Sequence, residues 1–76
     1  MTKKDYELIA KGIRYAYESS KLGAIIAKKR GESRELWDHA ADIVALTAGC
    51  LAGTLKNADP KFNNDKFSAI WKSSRY

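Results

Sequence analysis

In 76 residues the chain has one cysteine, one proline, one histidine and one methionine, and these scarcities exclude a good deal. A single cysteine cannot close an internal disulfide, and no Cys/His cluster of the kind that holds zinc is present. The only histidine, His39, and the only cysteine, Cys50, stand eleven residues apart. On one helix that is roughly 16 Å, too far for a nucleophile and its base. The chain is therefore expected not to be an enzyme, and Cys50 is read as a small packed residue. The opening MTKKDYELIA lacks the apolar core of about 7–15 residues that a signal peptide needs, which points to the cytoplasm. The longest uncharged run, Ile43 to Leu55, has thirteen residues between Asp42 and Lys56. That is too short to span a bilayer. With no repeats and no low-complexity linker, residues 1–76 read as one small domain, near the size where a single core is marginal.

The same uncharged run is the organising element. At 100° per residue, Trp37, Ala41, Val44, Ala48, Leu51 and Leu55 fall on one side of a helix running from about 34 to 57. Leu36, Ile43, Thr47, Cys50 and Thr54 form a second strip beside it. Glu35, Asp38, His39 and Asp42 occupy the opposite side for two turns, after which that side carries Ala45, Leu46, Gly49 and Gly53. The back half is thus apolar or small nearly all round, the pattern of a helix covered on every side. So short a chain has few elements left to cover it, which points to self-association or a partner.

The remaining segments read as helices as well. Thr2 is a plausible N-cap with Asp5 at the favourable N-terminal position, and Tyr6, Ile9, Ala10, Ile13, Ala16 and Tyr17 follow a 3.6-residue period. Leu22, Ile25 and Ile26 then leave that phase. The reading favours a break at Ser19-Ser20, with a short second helix from about Lys21. The alternative is one continuous helix offering a second apolar patch. Lys28, Lys29 and Arg30 followed by Gly31 match a helix C-terminus, and Ser33 is the expected cap of the central helix. Asp59-Pro60 reads as a turn. Phe62, Asn63 and Phe67 have the spacing of a hydrophobic staple around an N-cap, and Phe67, Ile70 and Trp71 form a patch on a last helix ending near Lys72. The expected fold is all-α, three or four short helices around one central helix at about 34–57, with Phe62, Phe67 and Trp71 docked onto it.

The two ends resemble those of short helical proteins encoded by bacteriophages and prophages. At the front the likeness rests on Thr2-Lys3-Lys4-Asp5-Tyr6 with Ile9-Ala10. At the back it rests on Asp59-Pro60-Lys61-Phe62-Asn63 through Lys66-Phe67. The resemblance covers about half the chain, and its motifs are a cap, a staple and a turn. It therefore implies an architecture and a setting but no site residues. Proteins of that setting often bind and disable a host protein or a defence complex such as a CRISPR effector. The basic segment from Lys21 to Arg34 and the ending beyond Ile70 depart from the pattern.

Two surfaces stand out as partner-binding candidates. The net charge of +5 is uneven: residues 1–31 carry +5, residues 32–57 carry −2 and residues 58–76 carry +2. Lys21, Lys28, Lys29, Arg30 and Arg34 form a basic segment for an acidic protein surface or for phosphates. A solvated helix end explains the same cations. Ala41, Ala45, Gly49 and Gly53 make a small-residue ridge, with Leu46 and Cys50 at its border. Either another helix of the chain packs into it, or a second copy or a foreign protein does. Tyr15 and Tyr76 are further exposed candidates. Glu35, Asp38, His39 and Asp42 share a face, but no ligands answer them on a second helix, so no metal and no cofactor is expected. The expected function is non-enzymatic, stoichiometric binding to a host macromolecule, foremost a protein. A small nucleic-acid-binding protein is the alternative, and a homodimer is a further expectation.

Overall fold

A computed structural model describes residues 2–73. It is all-α, with α1 at Lys3–Lys29, α2 at Glu35–Ala58 and α3 at Asn64–Lys72. Among the described residues no helix is long and apolar enough to cross a membrane. Tyr76, one of the expected interface tyrosines, lies outside the described residues.

The helix ends follow from local chemistry. Thr2 and Asp5 form a reciprocal capping box: the Thr2 hydroxyl accepts from the Asp5 N–H, and the Asp5 carboxylate accepts from the Thr2 N–H at 2.8 Å. At the other end of α1, Gly31 adopts φ +73, and its N–H donates to the Lys28 carbonyl while that of Glu32 donates to Ala27 at 2.9 Å. This is a Schellman motif, and glycine tolerates its left-handed position without strain. Asn63 caps α3 through its side-chain oxygen, which accepts from the Lys66 N–H at 3.0 Å. The cap of α2 differs from expectation. Arg34 holds the N-cap position with no side-chain capping hydrogen bond, and Ser33 only accepts from the Glu35 N–H at 3.3 Å.

The larger correction concerns α1. It runs unbroken through Ser19-Ser20 for 27 residues. Two of the small residues that suggested a break, Ser20 and Gly23, lie where α2 comes close, whereas Ser19 is exposed. Ser20 is buried and satisfies its hydroxyl on the Ala16 carbonyl at 3.0 Å. A Cβ on Gly23 would lie only 2.4 Å from the Trp37 ring. The change of apolar phase marks a change of neighbour: the first half of α1 is packed by two helices and the second half by one.

The short turn at residues 30–34 makes α1 and α2 an antiparallel hairpin, with Gly23 against Trp37 at one end and Ala10 beside Ala48 and Ala52 at the other. The inner face of α2 is the expected one at Ala41 and Ala48, which are buried; Ala52, not among the expected residues, is buried as well, and Trp37 stays 41% exposed. α3 then runs along the first half of α1. It brings Phe62 to Tyr6 (centroids 4.8 Å), Trp71 to Tyr17 (5.8 Å) and Phe67 to Phe62 (5.3 Å), all edge to face. Phe62, Phe67 and Trp71 therefore dock mainly on α1, which touches both other helices, and only lightly on α2. The core of Ala10, Ala48, Ala52, Phe62, Phe67 and Trp71 sits wholly in this three-helix end.

Candidate functional site

The basic segment ends up at the tip of the hairpin. Lys28, Lys29 and Arg30 close α1 there and are exposed. The other two predicted cations are already engaged. Arg34 donates to both carboxylate oxygens of Asp38, at 2.9 and 3.2 Å. That bond raises the Arg34 pKa and holds the Asp38 carboxyl below its usual range. Lys21 lies over the Tyr17 ring, 5.4 Å from its centroid. Among the described residues the tip thus offers three free cations on one helix end rather than five.

Leu46, Gly49 and Gly53 lie on the outer face of α2, pointing away from α1. Leu46 is 68% exposed, and a Cβ added at Gly49 or Gly53 would meet nothing within 4 Å. The ridge is thereby split: Ala41 is buried and Ala45 packs against the core, as the intramolecular alternative expected, whereas neither α1 nor α3 packs onto Gly49, Gly53 or Leu46. Cys50 shares the face and is exposed, not packed as expected. The error arose from treating every apolar side of α2 as covered, when α1 and α3 cover only one.

A second exposed row was only partly read from the sequence, which singled out Tyr15 and, for a continuous helix, a second apolar patch around Leu22 and Ile26, but not Leu8 or the row that joins them. Leu8, Tyr15, Leu22 and Ile26 all stand open along the back of α1, Leu8 and Tyr15 most of all. Leu8, Tyr15 and Leu22 are seven residues apart, and exposed Gly12 and Ser19 fill the alternate positions of the same row. This spacing is that of a coiled-coil seam, and it becomes visible once α1 is known to be continuous. Lys4 and Lys11 border the row, and it runs into the cationic tip.

An open groove of about 640 Å³ lies between the start of α1 and α3, lined by Lys3, Tyr6, Asp59, Lys61, Lys66 and Ile70 among others. Two of its polar groups, Tyr6 and Asp59, engage each other. The Tyr6 hydroxyl donates to Asp59 at 2.7 Å, and the other Asp59 oxygen accepts from the Lys61 N–H at 3.0 Å. The shared bond lowers the Asp59 pKa and raises that of Tyr6. It latches the end of α2, where Asp59 is the C-cap, to α1 and leaves neither group poised as a base or nucleophile. His39 and Cys50 sit on the exposed side of α2, three turns apart. No group of three or more His, Cys, Asp or Glu side chains is placed to hold a metal ion among the described residues.

Compared with protein-family models, with curated proteins and with solved structures, the chain matches none. The surfaces alone bear on what the protein does.

Proposed function

We infer that the protein is a non-enzymatic, phage-type accessory protein that works in the bacterial cytoplasm by stoichiometric binding to a host protein or defence complex. The observation that carries this reading is the apolar row Leu8, Tyr15, Leu22 and Ile26, exposed along the whole of α1 and continuous with the cations of the tip. Small proteins seldom leave rows of large apolar side chains in water unless a partner covers them. A seam bordered by Lys4 and Lys11 and ending in Lys28, Lys29 and Arg30 suits an acidic amphipathic helix. The phage-like ends support the setting, and an anti-CRISPR-like inhibitor is one form such a protein takes.

The test is capture of partners from nuclease-treated host lysate at moderate salt, with wild type and with the double variant Leu22→Glu, Ile26→Glu. Both positions are exposed, so the variant should keep its helical circular dichroism. The expected result is one stoichiometric host protein on wild type that the variant loses. A partner retained equally by both would sink the assignment to α1. The free cations of the tip favour one second reading, a small nucleic-acid-binding protein. In that case binding is lost after nuclease, falls steeply with salt, and disappears on charge reversal at Lys28–Arg30.

A further inference from the structure

The reading above leaves the outer face of α2 without a role. Leu36, His39, Ile43, Leu46, Cys50 and Gly53 are all exposed, and they alternate at three- and four-residue spacing. Leu36 is 75% exposed and Leu46 68%, and no charge lies between Asp42 and Lys56. This is a second seam, on the side of α2 opposite its packed face.

We propose that this seam is covered by α2 of a second copy, antiparallel, about a two-fold axis level with Val44 and Ala45. The register follows from self-complementarity. About that axis Ile43 of each copy meets Leu46 of the other, His39 meets Cys50, and Leu36 lies over Gly53. The centre is apolar, and each end sets a large side chain on a glycine. Within one chain Gly53 has no packing reason to be glycine, since a Cβ there touches nothing. Beneath Leu36 of a second copy it has one, and Gly49 likewise opens space beside Asp42.

Charge obeys the same symmetry. Glu35 of each copy comes alongside Lys56 of the other, and no like charges face each other across the seam. Lys56 is fixed there by the carbonyls of Pro60 (2.8 Å) and Phe62 (3.2 Å), which leaves one ammonium proton for the carboxylate. The helix dipoles also run antiparallel, setting each acidic N-terminal turn beside a C-terminal one. The row on α1 lacks this property. Turned antiparallel on itself it brings Lys4 and Lys11 towards Lys28 and Lys29 of the other copy, like charge on like. Closed two-fold pairing through α2 leaves the α1 row and the tip facing outward, so the inference stands whether or not the proposed host partner exists.

The first test is solution mass by sedimentation equilibrium. A concentration-dependent dimer is expected for the full chain. Leu46→Glu and Gly53→Leu, both at open positions, should give monomers of unchanged helicity. A chain that stays monomeric at millimolar concentration would overturn the proposal, as would a Leu46→Glu variant that associates like wild type. A monomer whose α2 face, read by Leu46→Glu, is needed to capture a host protein would give the face a foreign occupant and also overturn it. Cys50 tests the register. Antiparallel pairing holds the two Cys50 thiols about 16 Å apart along the axis, so oxidised wild type should not cross-link. His39→Cys places a thiol opposite Cys50 and should yield a covalent dimer on oxidation. A disulfide-linked wild type with no gain from His39→Cys would mean a parallel pair and refute the register.

Discussion

The end of the molecule that carries α3 and the end that carries the hairpin turn are built from the same two long helices, yet they are held by different means. At the α3 end, Phe62, Phe67 and Trp71 fill the space between α1 and α2 with interlocked rings, and Tyr6 and Asp59 latch the outside. At the turn end no third helix is present among the described residues. α1 and α2 approach through buried Ser20, Ala24, Ala27 and Ala41, with Trp37 laid on Gly23 and still 41% exposed. A core of rings removes far more apolar area from water than contacts between alanines do. The α3 end is therefore the stability of the fold, and the turn end is where apolar surface and cations are left for partners. Fold and function are divided along the length of the hairpin.

The largest expected effect breaks the strong end. Trp71→Ala removes a nearly buried ring and should cost about 3–5 kcal/mol, a large part of what a domain of this size possesses. Thermal melting followed by far-ultraviolet circular dichroism checks it. A cost below about 1 kcal/mol would show that α3 is not what holds the hairpin together.

The next effect belongs to the weak end. Gly23→Ala drives a methyl into the Trp37 ring and should destabilise by about 1–3 kcal/mol. Shrinking the ring as well, with Trp37→Leu, should recover much of that loss. Gly12→Ala, on the same helix with nothing within 4 Å, should do the opposite and stabilise by about 0.5–1 kcal/mol. Urea titration of the three variants reads both signs. The two tryptophans sharpen the comparison because one stands at each end. Trp71→Phe leaves Trp37 as sole reporter of the turn end, and its fluorescence should change at lower urea than the helical signal if the turn end opens first.

Asn63→Ala should cost about 0.5–2 kcal/mol by leaving the first turn of α3 uncapped, with the loss confined to that helix in hydrogen exchange. The smallest effect is that of pH on the latch. Asp59 has a lowered pKa, so its contribution is present above the ordinary carboxylate value and fades as pH falls through the folded one. Tyr6 has a raised pKa, so its contribution is present below the ordinary phenol value and fades as pH rises through the folded one. Stability of the wild type should therefore sag at both extremes more than that of Tyr6→Phe, which has no bond to lose. Parallel pH dependence of the two proteins would dismiss the latch.

How much was legible depends on how far apart the deciding groups lie. The N-cap at Thr2 with Asp5 in the first turn, the glycine stop at Gly31, the staple of Phe62 and Phe67 around Asn63, and the inner face of α2 at Ala41 and Ala48 are all fixed by residues within a turn or two of each other. All of these were readable. Ser19-Ser20 and Gly23 misled because small residues signal a helix break and a close helix–helix approach equally well. Only Trp37, fourteen residues past Gly23, distinguishes the two. The candidate surfaces were half legible. The cations of the tip and the ridge of Leu46, Gly49 and Gly53 could be named in advance, but their freedom could not. Lys21 and Arg34 looked as free as Lys28 until Tyr17 and Asp38 were found beside them.

By itself the sequence determined that this protein is helical, that Thr2 and Asn63 cap its first and last helices, and that Ala41 and Ala48 of α2 turn inward, because helix periodicity and capping act over a few residues. Only the tertiary structure decided that α1 is one helix, that it and not α2 holds the other two together, and that the second apolar row of each long helix faces water. Those outcomes depend on which helix lies against which. With three helices to cover two long ones, some apolar faces must be left open, and only the packing selects them.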